Sequence, residues 1–178
     1  MSTLITTTAQ IGTIKDAGGN NTAMTIDSTG RVLQPAKPSF HARFNYGGTA
    51  GINGSIVFNQ EDFDIGGNYN TSNGRFTAPV AGIYWFSFDA LVCGNTSGAA
   101  LGDGSHAAVV FYKNGAEGSY SQRSYKRTDG ATQFNTINRT DCIQLNATDY
   151  VTVQVIASYM YVDATGNYDP VFQGCLIG

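Results

Sequence analysis

Large apolar residues fall on every second position of the run Gly82-Ile83-Tyr84-Trp85-Phe86-Ser87-Phe88-Asp89-Ala90. Successive side chains of a strand alternate sides, so Tyr84, Phe86 and Phe88 share one face, and that face reads as core. The opposite face carries Ile83 and Trp85 before it turns polar at Ser87 and Asp89, so half of the second surface also needs cover. A strand apolar on both sides belongs in a buried sheet, covered by a second layer of the same chain or by a neighbouring subunit. The run Val171 to Ile177 is likewise apolar on both faces. Tyr150 to Ser158 instead alternates, with Val151, Val153 and Val155 on one side and Thr152 and Gln154 on the other. Further strand-like runs, punctuated by Gly, Asn and Asp, span Phe40 to Phe44, Ser55 to Phe58, Arg75 to Thr77, Ala107 to Tyr112, Gly118 to Tyr125 and Thr132 to Leu145. No stretch keeps helical periodicity over three turns, which predicts an all-β chain. The segments Gly94 to Ser105 and Asp163 to Pro170 are long and rich in small polar residues, as loops that carry variable contacts are.

Residues 1–37 have a different texture, with almost no aromatics and short apolar pairs set among Thr, Gly and Asn. They hold a faint repeat, Thr13-Ile14-Lys15-Asp16-Ala17-Gly18 against Thr25-Ile26-Asp27-Ser28-Thr29-Gly30, each copy a short strand running into a Gly turn. Two such strands bury too little apolar area to stand alone, so they need a partner surface. Gln34-Pro35-Ala36-Lys37-Pro38 is a stiff extended joint, because two prolines fix φ and lack N–H groups. The expected organisation is an N-terminal anchor over 1–37 and a head over 38–178.

In the head, Phe58, Asp64, Tyr69, Phe76, Gly82, Tyr84, Phe86 and Phe88 agree in type and spacing with the signature stretch of the globular head of complement component 1q. The chain resembles that family, and more distantly the tumour necrosis factor superfamily, from about Pro38 to the C-terminus. Pro38-Ser39-Phe40, Tyr112-Lys113-Asn114-Gly115 and Phe172-Gln173-Gly174 extend the likeness. The resemblance implies a jelly-roll sandwich that assembles as a tight homotrimer. The Tyr84 and Val171 strands would then lie in an inner sheet against the threefold axis, with Trp85 at or near the subunit contact. Two departures stand out. Cys175 occupies a position where the family usually has an aromatic, and residues 1–37 form no collagen-like Gly-X-Y stalk, which removes any inference to immune recognition. The second repeat copy with Arg31-Val32-Leu33 resembles the strand-turn segments of bacteriophage tail and fibre proteins that precede a compact C-terminal head.

Charged residues make up only 13% of the chain, against roughly 25% in an average soluble protein, which suits a many-stranded, turn-rich fold. A net charge of −3 with scattered basic residues leaves no footprint for nucleic acid. The nearest cluster, Arg123, Lys126 and Arg127, reads as a solvated strand or loop edge. Cys93, Cys142 and Cys175 are odd in number and widely spaced, which argues against a disulfide framework or a zinc ribbon. Cys93 and Cys175 read as small buried hydrophobes suited to a reducing compartment. The start Met1-Ser2-Thr3-Leu4-Ile5-Thr6-Thr7 shows no leader and no window reaches transmembrane length, so synthesis in the cytosol without membrane insertion is expected. The Asn-x-Ser/Thr triplets at Asn20, Asn70, Asn95, Asn138 and Asn146 are expected by chance in so Asn- and Thr-rich a chain.

Catalytic candidates are few. His41 and His106, the only histidines, stand in no metal-ligand or nucleophile motif. Glu61, Asp62 and Asp64 are clustered carboxylates that suit either acid–base pairing on a glycan or a hard cation, and a turn role alone accounts for Asp64. Some family members bind calcium near the trimer apex, a role for which Asp103, Asp163 or Asp169 offer carboxylates, but no motif fixes a ligand set and no cofactor is expected. The Gly-rich stretches lack the ending of a phosphate loop. The leading expectation is therefore a non-enzymatic bacteriophage virion protein: a trimeric capsid decoration, head fibre or short spike on the virion surface. Residues 1–37 would hold it to other virion proteins, and its outward head would stabilise the particle or touch a host glycan or protein. The alternatives are a tail fibre tip, a cellular lectin-like module of the same fold, and a glycan-cleaving spike.

Overall fold

The computed structural model describes residues 12–45, 50–117, 123–127, 134–162 and 169–178. The chain divides into two units, Met1–Lys37 and Pro38–Gly178. In the first, β1 (Thr13–Lys15), β2 (Thr22–Ile26) and β3 (Val32–Leu33) form an antiparallel meander. Each repeat copy supplies an aspartate that ties its own turn. Asp16 Oδ1 accepts the Asn20 N–H at 3.0 Å, and Asp27 Oδ1 accepts the N–H groups of Thr29 and Arg31 at 2.9 and 3.0 Å. With the Thr29 hydroxyl and the Arg31 Nε added, these bonds hold the Asp27 carboxyl at about 2. Ile14 faces Met24 across the first pairing and Ile26 faces Val32 across the second, so these four share one side of the small sheet.

The second unit continues with β4 (Ser39–Arg43), β5 (Ala50–Ile56), β6 (Gln60–Ile65), β7 (Tyr69–Asn70), β8 (Arg75–Thr77), β9 (Gly82–Cys93), β10 (His106–Lys113), β11 (Ala116–Glu117), β12 (Ser124–Arg127), β13 (Asn135–Leu145), β14 (Tyr150–Val162) and β15 (Val171–Leu176). One layer runs β13-β9-β15-β4-β6. In the other, β10 carries β11 and β12 and pairs with β14, which also receives β5 and β8, and β7 pairs with β8. Every pairing is antiparallel, and β14 joins the layers where Tyr159 and Met160 meet Cys93 and Val92. This two-layer arrangement with crossovers is a jelly-roll sandwich, as expected.

Aromatic rings fill the space between the layers. Phe40 stacks on Tyr69 with centroids 4.9 Å apart and planes 5° apart, stacks on Phe76 at 4.9 Å, and meets Phe172 edge-on. Gly174 lies opposite Phe86 on β9, where a Cβ would stand 2.6 Å from Phe86 Cδ1 and 2.8 Å from the Trp85 carbonyl oxygen. The missing side chain is what lets that ring come so close to the β15 backbone.

Several sequence expectations shift. Strands β6 and β7 are additional, β5 ends at Ile56 with the buried Phe58 just beyond it, and β14 runs on to Val162 rather than stopping at Ser158. Residues 118–122 and 132–133 of two expected strands, and most of the loop from Asp163, lie outside the described residues. In Gly94 to Ser105, the wholly buried Leu101 pins the loop to the core. Among the described residues no helix is long and apolar enough to cross a membrane.

Candidate functional site

The signature residues turn out to build the sandwich. Phe58, Phe76, Tyr84, Phe86 and Phe88 are wholly buried, and Tyr69 nearly so. Burial raises the Tyr69 phenol well above its usual range, and its hydroxyl serves the backbone, donating to the Phe58 carbonyl at 3.0 Å and accepting the Phe58 N–H at 3.2 Å. Asp64 Oδ2 accepts the Tyr69 N–H at 2.8 Å, which fixes the turn between β6 and β7. Gly82 leaves room for the chain end, since a Cβ there would lie 2.6 Å from Leu176 Cδ1 and 2.9 Å from the Gly178 carbonyl oxygen.

Ile83 and Trp85 stand on the other side of β9, on the face of the β13-β9-β15-β4-β6 layer that points away from the core. Residues directly opposite in an antiparallel pair share a face, so the register sets the layout of that face in rows. One row reads Cys142, Trp85, Cys175, Ser39, Ile65, and the next reads Thr140, Ser87, Gln173, His41, Phe63. Ile83 and Ile177 continue it beyond Trp85, with the Ile177 N–H donating to the Ile83 carbonyl at 2.8 Å. Trp85 is half-buried while Ile83, Ile177, Phe63 and Ile65 are 45%, 49%, 49% and 40% exposed, so a broad apolar surface faces outward at one end of the sheet. Cys175, expected to be buried, belongs to this surface because it alternates with the inward Gly174 and Leu176. Cys93 is the buried thiol, and burial pushes its pKa up.

The other end of the same face is charged. A β-bulge where β6 passes His41 and Ala42 leaves Asp62 as the extra residue. Its carboxylate meets Arg43 Nε at 2.9 Å and stands 2.8 Å from His41 Nδ1, and Arg43 Nη1 donates to Asp169 at 3.1 Å. The hydrogen bond to Asp62 is the main reason the Arg43 guanidinium is held more firmly protonated than usual. His41 also stacks on Phe63 at 6.0 Å.

This geometry bears on the other candidates. Asp62 and Asp64 point to opposite faces of the layer, Asp62 engaged with Arg43 and Asp64 with the Tyr69 backbone, so they do not face each other across a groove. Glu61 lies beside Ala42, its pKa raised by burial and then by Asp64. Of the calcium candidates, Asp169 is paired with Arg43 and Asp163 lies outside the described residues. Asp103 lies in a turn in the Gly94 to Ser105 loop, and among the described residues no three His, Cys, Asp or Glu gather as a metal site. Arg123, read as a solvated edge residue, makes a two-pronged pair with Glu117 at 2.7 and 2.8 Å. His106 lies beside Tyr125, ring centroids 6.1 Å apart.

The chain is a jelly-roll sandwich whose β13-β9-β15-β4-β6 layer carries a core face on one side and an apolar patch around Trp85 on the other. The sequence profile of the C1q domain matches residues 39–177, and the chain belongs to that family. Among solved structures, the globular domain of zebrafish complement 1qA is similar with a TM-score of 0.58 at 19% identity, covering 80% of this chain and 98% of that one. The Eiger TNF of S. frugiperda gives 0.58 at 9% identity, covering 80% and 94%. Murine APRIL gives 0.52 at 11% identity, covering 77% and 98%. At these identities the likeness concerns the fold alone. Comparison with curated proteins gives no match.

Proposed function

We propose that this chain is a structural component of a bacteriophage particle: a homotrimer displayed on the virion surface as a capsid decoration, head fibre or short spike. Residues 1–37 attach it to other virion proteins, and the outward head stabilises the particle or adheres to the host surface. The reading makes the head an assembly and binding module with no catalytic role. The observation that carries it is the outward apolar face around Trp85, a surface that a single copy leaves in water. Three copies related by a threefold axis cover that surface with one another, as the C1q and tumour necrosis factor heads do. Each half-exposed Ile or Phe that becomes covered contributes roughly 1 kcal/mol.

The anchor reading is supported by the first unit, whose Ile14, Ile26 and Val32 are 44%, 42% and 58% exposed on one side of a three-stranded sheet. A sheet this small gains stability from a covering partner. Trimeric display then multiplies weak contacts at the host surface by raising the effective concentration of the second and third heads. Mass spectrometry of purified particles, with density mapping of their surface, tests the reading. The chain should be found at stoichiometric level on the capsid; density at the tail tip would make it a receptor-binding fibre tip, and absence from particles would favour the cellular lectin-like module.

A further inference from the structure

A ring of three copies closes head to tail: each chain presents one surface to the copy before it and a different surface to the copy after it. The outward face of the β13-β9-β15-β4-β6 layer supplies one of the two. The other has to be exposed and to answer that face in charge. The open side of the sandwich, where β12 of the back layer runs beside β13 of the front layer, meets both terms.

Beyond its apolar end the outward face is acidic. Asp62, Asp89 and Asp169 stand there with the guanidinium of Arg43, and His41 lies beside Asp62. Asp89 is exposed and belongs to the row Asn138, Asp89, Val171, Arg43. The open side is basic instead. Its strand β12 carries the exposed Lys126 and Arg127, while Arg123 is balanced by Glu117. Tyr125 is 59% exposed, more than any other large apolar side chain among the described residues. Among those residues no opposite charge pairs with Lys126 or with Asp89. Opposite charges left unpaired on two surfaces of one chain are complementary when a second copy brings those surfaces together.

The two charges also stand at one height along the strands. Ser124, Tyr125 and Lys126 border the same cleft as Thr136, Ile137 and Asn138, and Asn138 is the β13 member of the row that holds Asp89. Face and open side both run along the strands. An axis along the strands turns one onto the other, and rotation about it keeps height.

We propose that the open side of one copy seats on the outward face of the next, with Lys126 of one chain pairing with Asp89 of its neighbour at each of three contacts and Tyr125 packing beside the pair. The inference deepens the trimer reading and rests on it, since it names which surface covers which. The test is sedimentation equilibrium of the full-length wild type and of Lys126→Glu, Asp89→Lys and the double variant, all changed at exposed positions. Each single variant sets like charges together three times per ring and should lower the trimer association constant at least about tenfold. The double variant restores opposite charges and should return to within about threefold of the wild type. Lys15→Glu, in the N-terminal unit, should leave association unchanged. A monomeric wild type would overturn the trimer reading and this inference with it. A trimeric wild type that neither single variant weakens, or a double variant no better than the singles, would overturn the seating alone.

Discussion

Removing one oxygen atom, by Tyr69→Phe, probes how the signature stretch holds the sandwich. The Tyr69 hydroxyl satisfies both backbone groups of Phe58, a residue with no exposed surface just past the end of β5, where the ladder no longer pairs them. Phenylalanine keeps the stack on Phe40 and the edge contact with Phe172, so packing is preserved while two buried backbone groups lose their partner. An unsatisfied buried group costs about 1–3 kcal/mol. The buried hydroxyl's own desolvation is recovered, so a net loss of about 2–4 kcal/mol is expected. Against a domain stability of roughly 5–15 kcal/mol this is a large fraction. Urea unfolding followed by fluorescence of the only tryptophan, Trp85, measures it, at fixed protein concentration because assembly would couple to unfolding. The midpoint should fall with the slope m unchanged. A loss below about 0.5 kcal/mol would show that Phe58 does not depend on the hydroxyl and refute the reasoning.

Three further outcomes follow from named contacts. Gly174→Ala should destabilise the head by about 1–3 kcal/mol in the same urea assay, because the new methyl has no room beside Phe86 and the Trp85 carbonyl. Asp149 receives hydrogen bonds from Lys113, Asn114 and the Asn146 N–H, which lower its pKa from 3.8 to about 2. Since the folded value lies below the unfolded one, its contribution is complete above about pH 4 and is lost as pH falls towards 2. Unfolding midpoints measured from pH 5 to 2 should therefore drop more steeply for the wild type than for Asp149→Asn. Trp85→Asp puts a charge at the centre of the outward apolar row and should lower the association constant of the proposed trimer by at least about tenfold in light scattering; an unchanged trimer would move the contact elsewhere.

Much of the architecture was readable from alternation alone. Tyr84, Phe86 and Phe88 announce a core face, and the apolar residues on both sides of the strands now seen as β9 and β15 announce a layer needing cover; the two strands are indeed paired. Strand β6 was hidden because Glu61, Asp62 and Asp64 break any apolar alternation. It is an edge strand, where charge is tolerated, and its bulge shifts the register. Cys175 was misplaced because a residue type says nothing about which face it takes; its alternation with Gly174, a small inward residue, was the available signal. The unpartnered buried donors Asn135 Nδ2 and Arg139 Nε were missed for a similar reason. They sit on the core side of a strand at the open end of a layer, where polar residues look like ordinary solvated positions until the facing strand is known.

The measurement that bears most directly on the central claim is the mass of the full-length chain in solution by sedimentation velocity at micromolar concentration, with acrylamide quenching of Trp85 on the same sample. A three-chain species with Trp85 protected from the quencher is the predicted result. A well-behaved monomer with freely quenched Trp85 would contradict it, because the outward face of the β13-β9-β15-β4-β6 layer would then be stable in water without a partner copy.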